Sequence, residues 1–188
     1  MLLRKVCQSI FSRKRVNWDG EIKNPKDKIV VISDTHGDLP NQVLTTCIHA
    51  DRVIHAGDIG SDQIITDLQS LAPVTFVRGN IDPVNVFPSQ SKFILKSWKI
   101  FVQHIGWEKG EPTKDLKEIV NLDRYEIVVF GHSHQPLCLL LDETIYLNPG
   151  SCGPRRFNSD CTFSEILIDE KKIDKLIGRN NEIERTIQ

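Results

Sequence analysis

Three short runs of apolar, mostly β-branched residues constrain this chain more than any other feature: "KIVVIS" (28–33), "DRVIHAG" (51–57) and "PVTFVRG" (73–79). Each is too short for a core helix and too evenly apolar for a strand with one wet face. They read as strands buried on both sides. Between them, "LPNQVLTTCIHA" (39–50) and "SDQIITDLQSLA" (61–72) carry apolar residues at helical spacing, and Ser61 is placed to cap the second helix. A β-α-β-α-β rhythm with short connections predicts a parallel sheet with right-handed crossovers.

The second half has a different texture. "SKFILKS" (91–97) and "WKIFVQH" (98–104) are adjoining strands, "TKDLKEIVNLD" (113–123) is a helix with Thr113 as its cap, and "YEIVVFG" (125–131) is another buried strand. "PLCLLLD" (136–142), "TIYLNPG" (144–150), "CTFSEILID" (161–169) and "KIDKLIG" (172–178) follow as strands, with "DEKK" (169–172) as a hairpin turn. The expectation is an α/β domain over residues 28–177, two sheets packed face to face with helices outside. Residues 1–27 form a basic N-terminal extension of unknown role, and 178–188 a short tail.

The extension has no acidic residue before Asp19 and no continuous apolar segment, which argues against a secretory signal. Leu3, Val6 and Ile10 fall near one helical face, so a packed or frayed extension is the first reading and organelle targeting the second. Five scattered cysteines (Cys7, Cys47, Cys138, Cys152, Cys161) form no C-x-x-C pair and read as reduced thiols, which points to the cytoplasm. The net charge of −1 disfavours general nucleic-acid or membrane-surface binding. No apolar run is long enough to span a bilayer.

The chemistry lies just past the strands. Asp34 and His36 follow the first, Asp58 the second and Asn80 the third; His104 ends "WKIFVQH", and His132 and His134 follow "YEIVVFG". Ligands of open α/β sheets bind beyond the carboxyl ends of strands. In an extended backbone, side chains two apart point the same way, so Asp-x-His and His-x-His can each converge on one point. Two carboxylates, four imidazoles and an amide oxygen are too many donors for one ion. They suit two, with one carboxylate bridging. Nitrogen and oxygen donors without thiolate favour Mn²⁺, Fe or Zn²⁺ over Ca²⁺ or Cu⁺. Two divalent ions, two aspartates and a bridging hydroxide leave a net charge of about +1, which attracts an anionic oxygen ester.

Taken in order, "SDTHGD", "HAGDIG", "RGNID", "FGHSH" and "LNPGS" resemble the calcineurin-like metallophosphoesterase superfamily over about residues 28–177. The likeness is greatest to its small YfcE-like phosphodiesterase branch, which includes the retromer scaffold subunit. The resemblance implies a four-layer αββα sandwich and two divalent ions, Mn²⁺ first, with Fe, Zn²⁺, Ni²⁺ or Mg²⁺ as alternatives. It assigns Asp34, His36, Asp58 and His134 to one ion, and Asp58, Asn80, His104 and His132 to the other. Asp58, Asn80 and His132 form the catalytic subset. It implies hydrolysis of a small phosphodiester or nucleotide-like substrate by in-line attack of a metal-bridging hydroxide, and a tendency to self-associate. Asn148 and Ser151 are expected as supports of the site, Asp38 and Asp82 either as partners of ligand histidines or equally as turn-forming aspartates, and Arg155 or Arg156 as surface arginines that could reach a phosphate.

Two departures qualify the likeness. Many superfamily members have histidine after Gly-Asn, where it helps protonate the leaving group; here Ile81 stands there. Loss of a general acid typically removes about 10²–10⁴-fold in rate, which disfavours phosphomonoester and nucleotide phosphatase activity. The branch usually has His-Gly at the His104 position, whereas this chain has His104-Ile105-Gly106. A binding scaffold on the same fold is the competing function. The retromer relative has lost some ligands, whereas all seven positions here keep a residue of the right type. His49, His55, Trp98 and Trp107 read as packing or surface residues.

Overall fold

A computed structural model describes residues 26–154, 161–169 and 173–178. The expected helical character and domain boundary of the N-terminal extension, the turn at 170–172, the C-terminal tail, and Arg155 and Arg156 lie outside these residues.

The three β-branched runs form β1 (Asp27–Ile32), β2 (Arg52–His55) and β3 (Val74–Phe76), joined through α1 (Asn41–Cys47) and α2 (Asp62–Leu71). β1 pairs parallel with β2, and β2 parallel with β3. The second half builds β4 (Gln90–Leu95), β5 (Trp98–Gln103), the two-residue strands β6 (Trp107–Glu108) and β7 (Glu111–Pro112), then α3 (Lys114–Asp123) and β8 (Ile127–Val129). β9 (Leu137–Leu141), β10 (Thr144–Asn148), β11 (Ser164–Ile168) and β12 (Ile173–Gly178) complete it.

The strands form two five-stranded mixed sheets, ordered β12-β11-β1-β2-β3 and β4-β5-β8-β10-β9. β11 returns antiparallel to β1, with Asp27 opposite Ile168. In the other sheet β5, β8 and β10 run parallel, with Ile127 opposite both Ile100 and Ile145.

Alternation along the strands sets the layers. Ile29, Val31 and Ile54 of one sheet meet Ile100, Val102, Ile127, Val129, Ile145 and Leu147 of the other in a dry central core. The opposite face of β1 and β2 presents Val30, Ile32 and Val53 to Val43 and Cys47 of α1 and to Ile64, Ile65 and Leu68 of α2. On the far side Phe101, Val128 and Tyr146 pack against Leu116 and Val120 of α3. Helix, sheet, sheet and helix thus stack in four layers. Burying each such aliphatic side chain contributes about 1.5–3 kcal/mol.

Local chemistry trims the predicted elements. α1 is shorter than the 39–50 expected: Pro40 stands at its N-cap and fixes the start, and the helix ends at Cys47. Ser61 caps α2 by accepting from the Gln63 amide. Thr113 makes no such bond; its hydroxyl is buried without a partner. The β6–β7 hairpin was too short to see by periodicity. It turns through Lys109 and Gly110, both at positive φ (52° and 86°), which matches the twist of a tight hairpin. Trp98 donates its indole N–H to the Asp169 carbonyl, and Trp107 stacks on Phe130, so both act in packing.

Candidate metal centre

The loops after β1 and β2 are laced together by backbone bonds: Asp34 N–H to Gly57 O (2.9 Å), His36 N–H to Asp58 O (2.9 Å) and Gly37 N–H to Ile59 O (2.8 Å). Gly131 N–H donates to His104 O (2.9 Å), joining the ends of β5 and β8. Both sheets therefore bring their strand ends to one edge. All seven residues predicted as ligands stand there.

They do not converge by extended alternation, as the spacing suggested. Asp34 (φ 57°), His36 (49°), Asp58 (53°), His132 (70°) and His134 (56°) all have left-handed backbone. Such conformations cost about 1–3 kcal/mol each and persist only where the surroundings hold them. Asp and His tolerate them better than most residues.

The donors form two groups. In the first, Asp34, His36, Asp58 and His134 place one ligand atom each within 4.8 Å of all the others. His134 Nε2 lies 3.1 Å from Asp34 Oδ1 and 3.2 Å from His36 Nε2, and His36 Nε2 lies 3.9 Å from Asp58 Oδ2. Donors bound at ~2.1 Å to one ion stand roughly 3.0–3.5 Å apart, so this spacing suits a shared cation. Asp34 Oδ1 is buried and accepts no hydrogen bond, although a buried carboxylate oxygen normally finds a donor.

In the second group, Asn80 Oδ1 is 2.9 Å from His132 Nδ1 and 3.1 Å from His104 Nε2, which is 3.2 Å from Asp58 Oδ1. His104 Nδ1 donates to the Ala56 carbonyl at 2.7 Å. The Nε2 of the neutral ring then carries a lone pair and faces two oxygens. That repulsion is relieved by a proton on Nε2 or by a cation between the donors. Asp58 sends Oδ1 to this group and Oδ2 to the first. This is the disposition of a bridging carboxylate. Its Oδ1 also accepts from Ile81 N–H at 3.1 Å.

Electrostatics agree with the geometry. Burial alone would raise the Asp58 pKa, but His104 above all, with Ile81 N–H and His36, brings it down to about 2. Burial opposes a charge on His104; Asp58, Asp34 and the Ala56 carbonyl outweigh it and raise the ring's pKa. At Asp34 burial dominates and raises the pKa despite Ser33, His104 and His134. Positive charge at this centre is therefore stabilising, and a divalent cation supplies it. Asn80 and His132 are exposed while Asp34, Asp58 and His104 are buried, so the centre opens on the Asn80–His132 side.

The surrounding shell is partly as expected. Asn148 donates to Gly131 O (2.8 Å) and to Ser133 Oγ (3.1 Å) and accepts from Gly150 N–H; Ser151 Oγ donates to Asp34 O (2.9 Å). Asp82 bonds no ligand histidine. It accepts from Ile59, Gly60 and Gly79 N–H and pins the Asp58 loop to the Asn80 loop. Asp38 is an exposed turn residue whose N–H meets Thr35 O.

His55 contributes more than packing. Its Nδ1 accepts from Gly57 N–H (3.2 Å), so Nε2–H donates to Thr35 Oγ1 (2.9 Å), and Thr35 donates onward to Ile59 O (2.9 Å). This chain locks Thr35, between Asp34 and His36, against the Asp58 loop. No local pattern reveals it, since His55 and Thr35 are 20 residues apart.

Comparison with known proteins gives the family. Residues 28–171 match the model of the calcineurin-like phosphoesterase superfamily domain. The chain belongs to that superfamily. It is 32% identical over 158 residues to a probable metallophosphoesterase of Methanothermobacter thermautotrophicus, covering 80% of this chain and 91% of that one. It is 27% identical to a phosphodiesterase of Methanocaldococcus jannaschii, over 66% of this chain and 84% of the relative. Vacuolar protein sorting 29 of Cryptosporidium parvum shares the fold with a TM-score of 0.72 at 18% identity, over 87% of this chain and 96% of that one. Family and donor cluster together indicate a phosphoesterase that binds divalent metal. Among the described residues, no helix is long and apolar enough to cross a membrane.

Proposed function

We propose that this metallophosphoesterase hydrolyses phosphodiesters at a two-ion centre, with Mn²⁺ as the first candidate. The carrying observation is the split of the Asp58 carboxylate, one oxygen toward each donor group. Asp34, His36, Asp58 and His134 would hold one ion, and Asp58, Asn80, His104 and His132 the other. Bound there, divalent ions supply Lewis-acid polarisation of phosphoryl oxygens and acidify water. The name of the Methanocaldococcus relative, a phosphodiesterase, supports the substrate class.

The chain's own residues do the rest. The buried members fix the centre, and exposed Asn80 and His132 leave room for an ester to approach. His104 is oriented by Ala56 O, and Asp58 is kept ionised. Ile81 is 49% exposed beside the centre and gives only its N–H, to Asp58. Its side chain has no proton for a leaving group, so substrates whose leaving groups are already good fare best. A small substrate with an aryl or nucleotide-like arm fits this reading.

The test is hydrolysis of bis- and mono-p-nitrophenyl phosphate by full-length protein with Mn²⁺ added after removal of chelator. The expected result is turnover of the diester well above the monoester, and loss of at least about 10³-fold in Asp58→Ala. Near wild-type turnover in that variant would overturn the reading.

A further inference from the structure

Beside Asn80 and His104 the surface sinks into a cavity of about 300 Å³, walled also by Arg78, Gln90, Gln103, Ile105 and Asp115. Two of its walls are donors of the proposed centre. A group lodged in it would therefore sit next to the reacting phosphate, on the Asn80–His104 side only. The volume is at the lower end for small-molecule sites, enough for one substituent and too small for a polymer.

Two glutamines of the wall are held in place. Gln103 is buried, donates to Ile105 O (2.8 Å) and accepts from Gln90 Nε2 (3.3 Å). Arg78 differs. It is half-buried, its Nη1 makes a long contact with Gly79 O (3.5 Å), and it forms no ion pair among the described residues. Asp115 lines the same cavity yet is not within ion-pair reach of it. Three lysines, by contrast, are matched with acids: Lys28 with Glu165 (2.7 Å), Lys92 with Asp123 (3.2 Å) and Lys96 with Asp27 (3.4 Å). Arg52, the other half-buried arginine described, donates to Thr75 and lies over the Phe93 ring. A half-buried guanidinium on the wall of a cavity, with donors to spare, is suited to receive an oxyanion.

We propose that the cavity seats one ester arm of the substrate and that Arg78 selects an arm carrying a second anionic group. This rests on the phosphodiester reading above and narrows it to diesters with two anionic centres.

The experiment compares thymidine 5′-(p-nitrophenyl phosphate) with the same compound bearing a 3′-phosphate, using the full-length Mn²⁺-loaded protein. The ratio of kcat/KM is expected to favour the 3′-phosphate by about tenfold, to approach one in Arg78→Gln, and to be partly kept in Arg78→Lys. Loss of packing alone would lower both substrates together and leave the ratio in place, so an unchanged ratio overturns the proposal. Calorimetric binding of thymidine 3′,5′-bisphosphate to metal-free protein gives a second readout. About tenfold weaker binding by Arg78→Gln supports the assignment, and equal binding overturns it. Arg78-dependent binding without turnover of any diester would sink the phosphodiester reading and leave the anion site standing. Diester turnover with an Arg78-independent ratio would do the reverse.

Discussion

Single atoms decide how closely this centre can be built. At Gly131 an added Cβ would fall on Ser33 Oγ and stand 2.7 Å from Asp34 Oδ2. At Gly79 it would fall on the Asp58 carboxylate and backbone nitrogen. Neither backbone nor ligand can yield without moving a donor. Gly131→Ala should therefore destabilise the protein by about 1–3 kcal/mol and lower its metal content together. Thermal melting and elemental analysis check both; a variant with unchanged melting and full metal content would show that the contact is not tight. His55 sets a pH dependence. Burial pushes its pKa down to about 3. The unfolded chain, with an ordinary imidazole near 6.5, binds the extra proton between those values. Stability is thus complete above about pH 6.5 and falls by up to about 1.4 kcal/mol per pH unit on going down toward 3. Denaturant unfolding at pH 7, 6, 5 and 4 should show this slope in the wild type and a shallower one in His55→Asn. Parallel slopes would remove His55 from the account.

Loops between elements carry the same logic one level up. Asn148, at the end of β10, donates its amide N–H groups to Gly131 O and Ser133 Oγ in the turn holding His132 and His134, while its oxygen accepts from Gly150 N–H. Asn148→Ala should leave the sheets intact and loosen that turn, weakening metal binding by about 10–100-fold. Titration of Mn²⁺ into the apo variant, with circular dichroism as the fold control, measures this; wild-type affinity would mean the turn holds itself. The elements themselves were largely legible. Runs such as "KIVVIS" have no alternative partner but a buried sheet, and the polar residue after each run marks its carboxyl end. What stayed hidden is non-local or conformational. Left-handed backbone at Asp34, His36, Asp58, His132 and His134 is imposed by loops packed from other strands, not by residue type. Asp82 looked like a partner for a histidine, but the donors that reach it are the amides of Ile59, Gly60 and Gly79. β6 and β7 are too short for any period to show.

Across the whole molecule, the two sheets act as one support. Their shared core holds the strand ends together: the Asp58 loop from one sheet meets His104 from the other, and Asn80 and Asp34 meet His132. A site assembled from both halves can bind metal only when the sandwich is intact. Bound metal should therefore count the closed site directly. The measurement that bears most on this picture is metal stoichiometry of the purified full-length protein after equilibration with Mn²⁺ and removal of free ion, alongside Asp58→Ala. The account predicts two ions per chain in the wild type and at most one in the variant. One ion or none in the wild type, or two retained in Asp58→Ala, would contradict it.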